Sequence, residues 1–240
     1  MSDPQAEHIV RSYAQELAAL RDSIARMGGM VEAQVAAAAA AVVHQDSGAA
    51  GQAVEQDPAV DALERTIEAQ VIRMLALRQP MAQDLRQIVA ALKITSGLER
   101  IGDYAANVAK RSIVLAQFSL PFSLSGVAHM TRLVQENLKL VVDAVGENDE
   151  KKAMQVWRSD QAVDDIYNAI FRELVTYMME DPRNITPCTH LLFIAKNLER
   201  IGDHTTNIAE TVHYTVTGSA LPDSRPKGDM SAYAVVRPRD

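Results

Sequence analysis

The chain has 240 residues, 48% of them apolar and 23% charged, which is enough to build a core and excludes wholesale disorder. Aromatic residues make up only 5%, and alanine, leucine, valine, isoleucine and ten methionines supply the rest of the apolar set, a balance that leans towards helices. The net charge of -7 excludes a general nucleic-acid binder, which needs basic surface to displace counterions, and favours metal cations or a basic partner protein.

Proline and glycine punctuate the chain, and the Pro-free stretches read as helices. The spacing predicts six of them: about 5–45, 57–78, 81–117, 123–146, 149–180 and 185–216. The breaks between them include Gly48-Ala-Ala-Gly51 and Gly146-Glu-Asn-Asp149. Leu17, Leu20, Ile24, Met27 and Val31 follow the i, i+3, i+4, i+7 pattern of an amphipathic helix, as do Leu133, Leu138, Val141, Val142 and Val145. Residues 217–240 carry Pro, Gly and mixed polar residues without periodicity and read as a flexible tail. Residues 1–30 hold scattered acids and no continuous apolar run, so no signal peptide is expected. The apolar run Val35 to Val43 is too short to span a bilayer. A lone cysteine, Cys188, cannot form an internal disulfide, which suits a reducing cytoplasm.

An internal repeat is the strongest signal. Leu98-Glu-Arg-Ile-Gly-Asp103 recurs as Leu198-Glu-Arg-Ile-Gly-Asp203, and Asn107-Val-Ala109 matches Asn207-Ile-Ala209. Asp57-Pro-Ala-Val-Asp61 aligns with Asp160-Gln-Ala-Val-Asp164, and Val31 to Val42 aligns with Val134 to Val145. Three consecutive helices are therefore duplicated, which gives an all-α fold of two similar three-helix bundles, residues 1–120 and 121–216, with antiparallel neighbours across short connections.

Positions four apart lie nearly above one another on a helix. Glu99, Asp103 and Asn107 form one stripe, while Ile94, Leu98, Ile101, Ala105 and Val108 lie on the opposite side and should face the core. Glu199, Asp203 and Asn207 repeat the stripe. The preceding helices carry their own: Asp57, Asp61, Glu64 and Glu68 in the first unit, Asp160, Asp164 and Asn168 in the second. One reading is a solvated acidic face, with Arg100 or Lys110 as counter-charges. Asp57, just before Pro58, also reads as a helix N-cap, and Asp160 as a second one. The other reading is a carboxylate-rich metal site in each bundle, hard ligands that suit Mg, Mn, Ca or non-haem Fe better than a His/Cys zinc site. Like charges at i, i+4 cost a few tenths of a kcal/mol, yet the pattern recurs on four helices. Gly102 and Gly202 sit mid-helix beside the stripes, where a missing side chain leaves room either for an ion or for close helix packing.

The two Leu-Glu-Arg-Ile-Gly-Asp copies, each with Asn four residues later, closely resemble the PhoU family of bacterial phosphate-signalling regulators. Leu20-Arg-Asp22 with Met27-Gly-Gly29, Leu77-Arg-Gln-Pro80 with Asp84-Leu-Arg86, and Tyr177-Met-Met-Glu-Asp-Pro182 agree with it, and the match runs from about residue 10 to 216. The resemblance implies paired three-helix bundles whose E(D)xxxD motifs bind divalent or trivalent metal ions, often multinuclear iron, with Mg, Mn or Zn as other occupants. Those motifs map here to Asp57/Asp61, Glu99/Asp103, Asp160/Asp164 and Glu199/Asp203, with Asn107 and Asn207 beside them. It further implies a negative regulator of the phosphate-starvation response, an adaptor between the ATPase of a phosphate ABC transporter and a phosphate-sensing histidine kinase. Such a protein is a cytoplasmic homodimer that meets the inner membrane only through its partners.

The copies differ. Glu210 and His213 extend the second stripe, where the first has Lys110 and Ile113, so the second bundle is expected to bind metal better. The alternative of a di-iron oxidase needs a Glu-x-x-His on each of two helices, and Glu210-Thr-Val-His213 occurs once without a counterpart. Cys188 with His190 makes a weak nucleophile pair without an orienting group. Direct phosphate binding is disfavoured, because acidic stripes repel the anion unless metals invert the local charge.

Overall fold

The computed structural model describes residues 4–221, and all its long elements there are helical. In chain order they are α1 (Pro4–Val43), α2 (Ser47–Arg78), α3 (Ala82–Leu115), α4 (Ser125–Glu147), α5 (Glu150–Glu180) and α6 (Ile185–Thr217), with a 3-10 turn, Pro182–Asn184, before α6. Six helices in two sets of three were expected, and six are found. Most of the expected tail, from residue 222 on, lies outside the described residues.

One boundary differs by a wide margin. The Gly48–Gly51 stretch is not a break but the first turn and a half of α2. The break lies just before it, where Gln45 takes a left-handed φ of 53°. Asp46 then caps α2, its Oδ1 accepting from the backbone N–H groups of Gly48 (2.9 Å) and Ala49 (3.1 Å). Burial outweighs the helix penalty of the glycines, because Ala50 and Ala53 are fully enclosed in the core. Pro58 sits inside α2 on its exposed side. Asp57 is therefore a mid-helix residue, not an N-cap, and Asp160 lies well inside α5. The second repeat makes the same connection with Asn148 at φ 52° and Asp149 as cap, accepting from Lys151 (2.8 Å) and Lys152 (3.2 Å).

Each repeat is a three-helix bundle: α2 packs on α1 and α3, and α5 on α4 and α6. The bundles meet through α3 against α6 and α1 against α4. Gly97 lies near Ile208, Tyr104 near His204, and Arg111 near Phe193, so α3 and α6 run antiparallel. This leaves α2 and α5 as the outer flanks of a pseudo-twofold arrangement. The core runs continuously through both bundles and is built mainly from alanine, valine, leucine, isoleucine and methionine, with Tyr167 and Cys188 in the second bundle. Small residues let the helices come close. A β-carbon on Gly28 of α1 would stand 2.7 Å from Val142 Cγ1 of α4. Ile94, Leu98, Ile101, Ala105 and Val108 are all buried, as the stripe argument required.

Two carboxylate faces as candidate metal sites

In the first bundle α2 and α3 turn their acidic stripes towards each other. Burial, then the carboxylates of Asp103, Glu64 and Asp61, push Glu99 up to about 7, against the opposing pull of Arg100. Glu64 is raised in the same way by burial, Glu68 and Asp61. Arg100 answers from the solvent side, with Nε 3.6 Å from Glu99 Oε2 and Nη1 3.2 Å from Asp103 Oδ2, and its side chain is 56% exposed. Asp61, Glu64, Glu99 and Asp103 therefore share one electrostatic neighbourhood. Asp57 does not open onto it as a bare carboxylate. Its Oδ1 accepts from Nε2 of Gln34 (3.0 Å), which also donates to the Ala53 carbonyl (2.9 Å). Asn107 and Asn207 are exposed at the ends of their stripes.

In the second bundle the same face is deeper and differently balanced. Asp160, Asp164 and Glu199 are each no more than 5% exposed. Lys196 Nζ stands 2.9 Å from Glu199 Oε1 and 5.0 Å from the centre of the Tyr167 ring. The Thr206 hydroxyl donates to Asp160 Oδ1 at 3.1 Å. Asp203 stays half-buried one turn further along α6.

The repeat offset explains the contrast. Where the second bundle has Tyr167, Lys196 and Thr206, the first has Glu64, Ser96 and Ala106. The first face thus gains a carboxylate and lacks the lysine. Lys110, an expected counter-charge of the first stripe, is exposed at the surface. Glu210 and His213 do not extend the second stripe as open ligands either. Glu210 Oε1 accepts from Trp157 Nε1 (3.2 Å), and His213 Nδ1 lies 3.2 Å from Glu150 Oε1. Both are clips from α6 to α5. The second face carries a lysine and a hydroxyl donor at positions where the first has Ser96 and Ala106. Comparing the two copies position by position would have found Lys196, Tyr167 and Thr206. Gln34 carries no such mark in the sequence.

The glycines beside the stripes are explained by packing. A β-carbon on Gly102 would meet Gln34 Oε1 at 2.9 Å, and one on Gly202 would meet Val163 Cγ1 at 3.2 Å. At each position a side chain of the neighbouring helix, Gln34 or Val163, occupies the notch that the missing side chain leaves.

As the side chains stand, no group of three or more His, Cys, Asp or Glu residues converges tightly enough to hold a metal ion among the described residues. The first face nevertheless fits a hard cation by donor chemistry, since it gathers oxygen ligands whose mutual repulsion a cation would offset.

Comparison with known proteins agrees along most of the helical part. The family model described as the PhoU domain matches twice, at residues 24–112 and 127–212. A phosphate-specific transport system accessory protein PhoU homolog of Caulobacter vibrioides is 52% identical over 93% of this chain and 98% of its own length. Its counterpart in Rhizobium meliloti is 46% identical over 94% and 95%. The crystal structure of PhoU from Pseudomonas aeruginosa superposes with a TM-score of 0.84 at 42% identity, covering 86% of this chain and 100% of that one. The phosphate transport system regulatory protein PhoU from Streptococcus pneumoniae gives 0.80 at 28% identity, over 87% and 99%. With both repeats matched and full-length relatives near half identity, the chain belongs to the PhoU family.

Proposed function

We propose that this chain is an accessory protein of a phosphate-specific transport system that restrains phosphate uptake and represses the phosphate-starvation response when phosphate is plentiful. The observation that carries this reading is the 52% identity along 93% of the chain to an accessory protein of such a system. In the finer reading it is an adaptor, without catalytic activity, between the transporter's ATPase and a phosphate-sensing histidine kinase. It works as a homodimer on the cytoplasmic side of the inner membrane. No described helix is long and apolar enough to cross a membrane. Contact with the bilayer, in this reading, runs through the partners.

The surface supports two docking ends. Leu77, Met81 and Leu85 are exposed around the α2–α3 turn, and Met179 and Ile185 around the α5–α6 turn. Because α3 and α6 are antiparallel, these turns lie at opposite ends of the central helix pair. A partner bound at one end shifts the population bound at the other only if it favours one state of the protein. Asp61, Glu64, Glu99 and Asp103 are the residues that would hold a metal in the first bundle. A hard cation held there would neutralise that carboxylate face and tie α2 to α3.

Affinity capture of the tagged full-length chain from membranes should retain the transporter ATPase and the kinase. Removing the chain should release phosphate-starvation genes from repression at high phosphate. Capture of neither partner, with repression intact, rejects the adaptor. Oxygen consumption with Fe(II) would favour a di-iron oxidase, a template already weakened by the engagement of Glu210 and His213 in helix clips.

A further inference from the structure

Between α3 and α6 runs an open groove of about 670 Å3. That size lies within the usual range for a small-molecule site, about 300–1,000 Å3. Arg86 and Lys93 of α3 line it from one side, Thr211 and Tyr214 of α6 from the other. Positions seven apart share a helix face, so both cations turn to the groove together. Among the described residues neither makes an ion pair, although the chain as a whole is acidic. Arg86 packs against the C-terminal cap of α6, where a β-carbon on Gly218 would stand 3.5 Å from its Cζ. The negative end of the helix dipole favours a cation there. Arg86 Nε is nevertheless buried without a hydrogen-bond partner. A buried donor without an acceptor is costly, and a guanidinium fork matches the oxygens of a phosphate group. The one carboxylate on the groove wall, Glu210, is already engaged, its Oε1 accepting from Trp157 Nε1 at 3.2 Å. Glu68 is met only further along, beyond Lys93.

The other repeat holds a closed copy of the same place. Thr186, Phe193 and Arg111 stand where the groove has Arg86, Lys93 and Thr211. There Arg111 Cζ lies 4.1 Å from the centre of the Phe193 ring, so the cation covers an aromatic face. The open copy also has an apolar part, since Val89 and Tyr214 on its wall are 40% and 44% exposed. A phosphate ion alone would use only the two cations. A ligand that joins phosphates to a flat ring uses the whole wall, because base–aromatic stacking adds to the charge contacts. We propose that this groove binds a nucleoside diphosphate or triphosphate, its phosphates on Arg86 and Lys93 and its base against Tyr214 and Val89. Neither the adaptor role nor the metal reading is needed for this. Arg86 directly follows Leu85, so the occupied groove borders the exposed apolar end at the α2–α3 turn and gives that end a small-molecule input.

Isothermal titration calorimetry of the full-length chain with ADP tests this, in EDTA so that no metal bridges phosphate to carboxylate. Wild type should bind one ADP per chain. Lys93→Gln and Arg86→Gln should each weaken binding about tenfold or more, as loss of a charge-assisted contact to phosphate requires. Arg111→Gln, at the closed copy, should leave ADP binding unchanged. Tyr214→Ala should weaken ADP but not pyrophosphate, which separates the ring contact from the phosphate contacts. Absence of binding at millimolar ADP overturns the proposal, as does ADP binding that Lys93→Gln leaves intact. Pyrophosphate bound as tightly as ADP by wild type overturns the assignment to a nucleotide. Should Arg86→Gln fail to fold, because its guanidinium packs against the cap of α6, Lys93→Gln still decides, since that side chain is exposed.

Discussion

Gln34 Oε1 lies 2.9 Å from the point that a β-carbon on residue 102 would occupy. The amide cannot swing clear, because Gln34 is fully buried and its Nε2 is tied to the Ala53 carbonyl and to Asp57. Gly102→Ala should therefore lower stability by about 1–2 kcal/mol, since overpacking outweighs the gain of about 1 kcal/mol in helix propensity. Gly51 of α2 faces open space, so Gly51→Ala should stabilise by about 0.5–1 kcal/mol. Urea unfolding of the pair checks the argument, and equal midpoints for Gly102→Ala and wild type would show that Gln34 yields.

This contact also marks the limit of what the sequence conveys. The period of Ile94, Leu98, Ile101, Ala105 and Val108 is enough to say which side of α3 is buried, because helical geometry fixes it locally. The duplicated motif is enough to count bundles. Nothing local says that Gln34, from another helix, fills the notch at Gly102, or that Lys196 lies over the Tyr167 ring of α5. Those facts depend on how helices far apart in sequence come together. The start of α2 departs from the sequence expectation for a related reason. Glycine propensity is a local term, and burial of Ala50 and Ala53 by α1 and α3 is not. The carboxylate stripes were visible as a pattern, but their charge balance was not, since it hangs on residues of facing helices such as Glu64 and Tyr167.

Glu99 provides a pH test. Its carboxyl is held up at about 7, against an ordinary value of 4.5, so between those two values the folded protein binds more protons at this site than the unfolded chain does. Stability contributed by the site must then fall as pH rises from about 4.5 to about 7 and level off above. Other carboxylates act in the opposite sense; Glu16 is lowered by its hydrogen bond and ion pair with Arg78. The informative quantity is therefore the difference between wild type and Glu99→Gln in metal-free buffer. The variant should become the more stable of the two as pH passes 7, and parallel curves would contradict the crowding of Asp103, Glu64 and Asp61 around this group.

The matched caps predict matched losses. Asp46 and Asp149 each accept two backbone N–H groups at the start of the helix that carries the second carboxylate stripe of its bundle. Asp46→Ala and Asp149→Ala should each cost about 1 kcal/mol, within the usual range of about 0.5–2 for a lost N-cap. Asp57→Ala should cost less than Asp46→Ala, because Gln34 keeps its bond to the Ala53 carbonyl. Chemical denaturation of the three variants separates the cap from the position that resembles one in the sequence.

Cys188 tests the second bundle from inside. Burial pushes its thiol up to about 11, the reverse of the depressed value that an activated nucleophile needs. The side chain is fully enclosed near the start of α6. At pH 8 the thiolate fraction is about a hundredfold below that of a thiol with an ordinary value of 9, before access is considered. Iodoacetamide should therefore label the native protein at least a hundredfold more slowly than the unfolded chain, with a rate that follows opening of the second bundle. Lys196→Ser should speed labelling in metal-free buffer, since it leaves Glu199 without its lysine partner at 5% exposure. Gly102→Ala, whose strain lies between α1 and α3 of the first bundle, should change it far less. Fast labelling of native wild type would mean that α6 frays at this end and that the buried thiol is not held by the core.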